Sequence, residues 1–223
     1  MGDRLRELWD FDDLDGTERR FLEQLENESS GAGRAEVMTQ LARLRALSGQ
    51  FTEGEKLIAQ ARAIGGSDPA VRIRADLELG RLWRTKGDTS GAQPLFESAF
   101  TLAVAVENEF LAADAAHMAA LVAPDMAGTR AWTRRGLDIA ESSADRSVSN
   151  WSGSLLNNLG CRCADTGDHE GALEAFERAL EARLRHPEWP GNIRHARESV
   201  TEELRVLGRE DEARRLEASE RTS

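Results

Sequence analysis

The chain has 223 residues, 40% of them hydrophobic and 31% charged, with a formal net charge of −11. That balance belongs to a folded globular chain rather than a disordered one, and its acidity argues against general affinity for nucleic acid or for anionic membranes. No run approaches the roughly 18 apolar residues of a spanning helix, and the opening MGDRLRELWDFDDLD is charged throughout rather than basic and then apolar, so a cytoplasmic location is expected.

Taken in chain order, the first predicted element is a lone helix within residues 1–30, carried by DLDGTERRFLEQLEN. LARLRALSGQFTEGEKLIAQAR follows, with Ala42, Gly49, Gly54, Ile58 and Ala61 at regular offsets. LGRLWRTKGDTSGAQPLFESAF repeats the pattern more sharply through Gly80, Gly87, Asp88, Ala92, Phe96 and Ala99, and Phe21 of the opening helix takes the place of Phe96. A degenerate copy then passes through APDMAGTR. LGCRCADTGDHEGALEAFERAL restores the offsets of the second copy in Gly160, Gly167, Asp168, Ala172, Phe176 and Ala179. VTEELRVLGREDEARRLEA supplies Gly208 and Ala213, and the polar end REDEARRLEASERTS reads as a solvated cap. Turn glycines at 49, 87, 167 and 208 are spaced by 38, 80 and 41 residues. The gap of 80 is two units of 40, which places the degenerate turn near residue 127.

Apolar and small residues recur at three and four on both sides of each glycine, which is the helical period. Glycine supplies a left-handed C-terminal cap for the first helix of a pair, and Asp88 and Asp168 can cap the amides of the second. The alanines let two helices approach, and Phe96 and Phe176 fill the space between neighbouring hairpins. A lone hairpin cannot bury its apolar face, so the units must stack.

The pattern resembles the tetratricopeptide repeat family over roughly residues 34–220. It is sharpest in the second and fourth copies and poorest in the third. The family period is about 34 residues, whereas this one is near 40, so each hairpin should carry an extra turn or a longer linker, as RHPEWPGNIRHA does. The run WSGSLLNNLG after AADAAHMAALVAP is also similar to bacterial cytosolic tetratricopeptide proteins of uncharacterised role, although Cys161 stands where that group has an aromatic. The resemblance implies an all-α solenoid: a right-handed superhelix of helical hairpins with an extra N-terminal helix and a C-terminal capping helix. It would be a single domain over 1–223, with repeats at roughly 34–66, 70–107, 110–146, 151–187 and 193–221.

The resemblance also implies a concave groove lined by first helices, at 13, 10, 9 and 6 residues before each turn glycine. The first repeat offers Glu36, Thr39, Gln40 and Arg43. The second offers Arg74, Leu77, Glu78 and Arg81, and the third Asp114, His117, Met118 and Leu121. The fourth offers Ser154, Asn157, Asn158 and Cys161, and the fifth His195, Glu198, Ser199 and Glu202. Asparagine is a poor helix-interior residue, so two in succession at 157 and 158 point to a use; a carboxamide donates and accepts at once, which suits a peptide backbone. In tetratricopeptide domains that clamp a peptide's carboxylate end, an Asn commonly occupies the place of Asn158. The bland alternative is that one asparagine bonds a neighbouring helix and the other is wet.

Arg74 and Arg81 share a helical face and can read a carboxylate bidentately, or they belong to a salt-bridged face, for which Arg74–Glu78 has the spacing. Of the 29 basic residues only Lys56 and Lys86 are lysine; the family's clamp usually places lysines at some groove positions, and none stands there. His117 and His195 read as hydrogen-bonding groove residues rather than a metal pair. Trp83 and Trp132 read as core, while Trp9, Trp151 and Trp189 suit packing or contact. Cys161 and Cys163 diverge on a helix, leaving one core thiol and one outer thiol. No GxSxG, HExxH, P-loop or CxxC occurs, so no catalytic residue, metal or cofactor is assigned. The expected function is an interaction module whose groove binds an acidic or carboxylate-ended segment of a protein partner through Gln40, Arg43, Arg74, Arg81, Asp114, His117, Asn157, Asn158 and His195. The alternative is a sensor or enzyme taking a small anion there. Self-association stays open. Asn158→Ala with Arg81→Ala is expected to abolish capture and spare the melting temperature.

Overall fold

The computed structural model describes residues 3–220; Met1, Gly2 and residues 221–223 of the expected array lie outside the described residues. Among the described residues the regular structure is entirely helical. A three-residue 3-10 turn, Arg6–Leu8, precedes α1 (Leu14–Asn27). Then come α2 (Gly31–Leu47) with α3 (Phe51–Gly65), α4 (Pro69–Thr85) with α5 (Thr89–Ala105), and α6 (Glu109–Val122). They are followed by α7 (Met126–Ser142), the short α8 (Arg146–Ser149), α9 (Trp151–Asp165) with α10 (His169–Leu184), and α11 (Pro190–Val206) with α12 (Glu210–Glu220). No helix among the described residues is long and apolar enough to cross a membrane.

The hairpin turns form as the glycine spacing requires. Gly49, Gly87, Gly167 and Gly208 all have positive φ, between 73° and 89°, a region other residues enter only at a cost. Asp88 and Asp168 then accept from the amides of Gly91 and Gly171 at 2.8 and 3.0 Å, satisfying free donors at the starts of α5 and α10. Asp13, Ser30 and Asp125 cap α1, α2 and α7 in the same way.

The chain divides into two compact units, one ending at Val122 and the other starting at Ala123. The division falls inside the expected third repeat: α6 belongs to the first unit and α7 to the second. The turn between them lies at residues 123–125, slightly ahead of 127. Pro124 disfavours helical backbone at the residue before it, and Asp125 caps the next helix, leaving Gly128 inside α7. In the first unit α2, α4 and α6 pack in succession as one layer, with α3 and α5 against them. In the second, α9 packs on α7 and α10, α10 on α11, and α11 on α12.

In the α4/α5 and α9/α10 hairpins a missing side chain sets the approach. A Cβ added to Gly80 would lie 2.5 Å from the ring of Phe96, and one added to Gly160 would lie 2.5 Å from Phe176. Both rings are buried. The Phe176 ring also joins a core with Leu159, Val200 and Leu204, which ties its hairpin to the next. Gly80→Ala and Gly160→Ala are each expected to destabilise by about 1–3 kcal/mol, since overpacking forces the ring to move. That holds although alanine exceeds glycine as a helix former by about 1 kcal/mol. Gly191→Ala, where an added Cβ meets nothing within 4 Å, is expected to be neutral or mildly stabilising. Chemical denaturation of the three variants checks this ordering.

Candidate functional site

In the first unit, α2, α4 and α6 present Glu36, Gln40, Arg43, Arg74, Glu78, Arg81, Asp114 and His117 to one shared face. The face is unusual in being charged and sequestered. Gln40, Arg74, Glu78 and Asp114 are all buried, while Arg43, Arg81 and His117 are partly so. Burying a charge is costly unless it is paired, and the arrangement answers most of that cost, although Glu78 Oε2 and Arg81 Nη1 are buried without a hydrogen bond. Arg81 Nη2 donates to both oxygens of Asp114 at 2.5 and 2.6 Å, and Arg81 Nη1 lies 3.7 Å from Glu78 Oε1. Arg74 Nε donates to Glu36 Oε2 at 3.0 Å. Arg74 pairs with Glu36 across helices and not with Glu78 along its own.

The other partners of this face come from the chain's own opening segment. Arg74 also donates to both carboxylate oxygens of Asp3, at 3.3 Å from Nη1 and more closely from Nη2. Arg4 donates to Glu36 Oε1 at 3.1 Å and to Glu28 Oε1 at 2.5 Å. The indole N–H of Trp9 donates to Gln40 Oε1 at 2.9 Å, and the guanidinium of Arg43 lies over the Trp9 ring at 4.9 Å and the Phe11 ring at 5.3 Å. From the sequence Trp9 suits packing or contact, but the docking of Asp3 and Arg4 on this face is not foreseen. The available signal was Leu5, Trp9 and Phe11 interleaved with the charges.

Burial pushes the Asp114 carboxyl upward, but the Arg81 and Arg43 guanidiniums outweigh it and hold it below the usual carboxylate range. Burial, with Arg81, Arg84 and Arg43 adding to it against the pull of Asp114, pushes His117 down to about 4. The ring is therefore neutral on this face at ordinary pH.

The second unit holds the remaining expected residues. Asn157 and Asn158 are half-buried on α9. Asn157 Oδ1 accepts from Ser199 Oγ of α11 at 3.4 Å, and its Nδ2 lies 3.8 Å from Cys161 Sγ, so Asn157 is held only by long bonds. His195 is exposed on α11, and Ser154 accepts from Arg183 Nη2 at 2.8 Å. Cys161 is exposed and Cys163 buried. Trp132 is buried beneath Arg135, Trp83 and Trp151 are partly buried, and Trp189 lies 5.3 Å from the His186 ring. A cavity of about 600 Å³ opens between the end of α7, α8 and α10, with Arg146, Arg178, Arg185 and His186 on its walls; none of the expected site residues lines it. Among the described residues no three His, Cys, Asp or Glu side chains converge on a possible metal position.

The stacked hairpins and their turn glycines define a tetratricopeptide-like repeat fold. The chain is similar to BtubC (BKLC) from P. vanneervenii, with a TM-score of 0.67 at 18% identity, covering 99% of this chain and 92% of that one. It is similar also to a kinesin light chain-like protein from Podosopora anserina with nearly identical TPR-like repeats, with a TM-score of 0.63 at 16% identity over 87% of this chain and 96% of that one. No family model matches the sequence, and no curated protein matches it.

Arg81 is a structural residue whatever else it does, because its side chain and that of Asp114 are only 11% and 9% exposed. Arg81→Ala leaves a buried carboxylate stranded and is expected to cost about 3–5 kcal/mol, so combining it with Asn158→Ala would not spare the melting temperature. Arg81→Met together with Asp114→Leu and Glu78→Gln, which leaves no carboxylate stranded beside residue 81, is expected to recover most of that loss in denaturation experiments. His117 gives a pH signature. Its ordinary value is 6.5 and its folded value about 4, so between these limits the unfolded chain takes up the proton first. Stability therefore falls as pH drops from 6.5 to 4, by up to about 3 kcal/mol from this group, and no further below that. The difference in denaturation midpoint between wild type and His117→Gln, followed across that range, isolates the effect.

Proposed function

We propose that this chain is a cytoplasmic protein-interaction module whose first-helix faces bind an extended, acidic or carboxylate-ended segment of a partner protein, without chemistry. One observation carries the reading: a stretch of polypeptide already rests on the face of the first unit, with its carboxylate on Arg74 and its indole on Gln40. A surface that satisfies a peptide's charged and aromatic groups in this way has the complementarity a partner segment needs. In the second unit the long bonds of Asn157 leave donor and acceptor capacity for a peptide backbone. His195, one turn before Ser199 on α11, adds an exposed ring. The alternative, a small anionic ligand, draws support from the cavity of the second unit, where three arginines outnumber Glu141 and Glu181, and would then use residues other than those above.

The test is fluorescence anisotropy with a panel of synthetic acidic peptides bearing free or amidated C-termini. Asn157→Ala and Asn158→Ala are each expected to weaken binding about five- to tenfold, the worth of one lost hydrogen bond to a charged or polar group, while the melting temperature holds. A panel in which no peptide binds, or in which lost binding tracks lost helix content, would sink the proposal.

A further inference from the structure

The opening segment is held differently from the rest of the first unit. The backbone N–H bonds at residues 6, 8 and 9 close on the segment itself, Arg6 N to Asp3 O at 3.0 Å, Leu8 N to Leu5 O at 3.3 Å and Trp9 N to Arg6 O at 3.2 Å. Among the described residues, its backbone bonds to the rest of the unit run to α1 alone: Leu8 O accepts from Arg20 Nε at 2.9 Å, and Asp10 N donates to the Thr17 hydroxyl at 2.9 Å while Asp10 O accepts from it at 2.8 Å. The segment meets α2 and α4 through side chains. Asp3 sits on Arg74, Leu5 is 1% exposed in a core with Phe21, Val37, Leu41 and Leu44, and Trp9 packs edge-on to Phe21 while its N–H reaches Gln40. With Arg4 donating to Glu28 and Glu36, three of the segment's four anchors carry a polar contact. Buried ionic and polar contacts return little net stability beyond their desolvation cost but strongly specify what fits. Short segments with few backbone bonds to their surroundings also belong to the part of a fold that opens most easily.

We propose that residues 3–11 are an intramolecular occupant of the first unit's inner face. They exchange with a partner segment that offers the same chemistry: a carboxylate, a buried aliphatic side chain two residues on, and an indole six residues on. This rests on the peptide-binding reading above and adds what the face selects and what guards it. Arg74 selects the carboxylate, the Leu41–Leu44 floor the aliphatic group, and Gln40 with Arg43 the indole. Glu36 keeps Arg74 paired while the carboxylate changes hands. A tethered occupant is present at high effective concentration, so a free partner binds only the fraction of molecules in which the segment has left, and its apparent affinity is reduced by that fraction.

The experiment uses the full chain and a labelled synthetic peptide copying residues 3–13. The peptide is expected to bind the Asp3→Ala, Trp9→Ala double variant about tenfold or more tightly than wild type, and a peptide with alanine in place of its indole residue is expected to bind neither. Hydrogen exchange on unmodified wild type is the second arm, independent of whether the variant folds; amides of residues 5–9 are expected to exchange far faster than those of α2 and α4. Equal binding to both proteins, failure to bind the folded variant, or exchange as slow as that of α2 would overturn the proposal and make the segment a permanent cap. A concentration-dependent dimer that trades segments between copies would overturn the intramolecular form of it. Asn158-dependent capture of other peptides, read in the second unit, stands or falls separately.

Discussion

Gly80 under the ring of Phe96 and Gly160 under that of Phe176 set how closely the helices of a hairpin approach, and the inner face inherits its geometry from that approach. With α4 and α5 held at a separation that a single methyl group would violate, the azimuth of α4 is fixed. Arg74, Glu78 and Arg81 then have no choice but to face α2 and α6. The same small-residue contact recurs 80 residues later, where it fixes α9 and hence the direction of Asn157 and Asn158. The periodic offsets are packing requirements first and functional placements second.

Charge on the first unit's face follows a different logic. Glu36, Glu78 and Asp114 on the helices stand against Arg43, Arg74 and Arg81, so the helices alone nearly neutralise their own face. An array of this kind is a poor source of net stability, and an apolar layer of equal volume would hold the helices at least as well. Its value lies in discrimination: a guanidinium already committed to one carboxylate accepts a second group only where the geometry of both is right. Asp3 meets that condition at Arg74, and the neutral imidazole of His117 keeps a further positive charge off the face.

The hairpins were readable because each rests on a short-range rule. Left-handed glycines at 49, 87, 167 and 208, aspartates at 88 and 168, and small residues at 80 and 160 are local demands that a single sequence displays. The expected third repeat is the hardest to place, since the segment joining α6 to α7 carries Pro124 and Asp125 in place of a glycine and comes before the spacing would put it. The partners of the arginines were beyond local rules altogether. Arg74 had a plausible mate one turn along its own helix in Glu78, yet it pairs with Glu36 on α2 and with Asp3, 71 residues away in sequence. Nothing in the spacing of Leu5, Trp9 and Phe11 announces where they dock, because that is decided by the shape of a surface built from three other helices.

The chain's two lysines sit away from this face: Lys86 at the end of α4 bonds Glu55 at 3.1 Å, and Lys56 on α3 lies 3.9 Å from Glu53. Acylation of lysine side chains, ubiquitin attachment or an amine-seeking cross-linker acting on them would therefore land on the α3 side and pass the inner arginines by. Guanidinium groups keep their charge across the range of pH that cells experience. The recognition surface is in this sense electrically permanent: what alters its behaviour is which polypeptide lies on it.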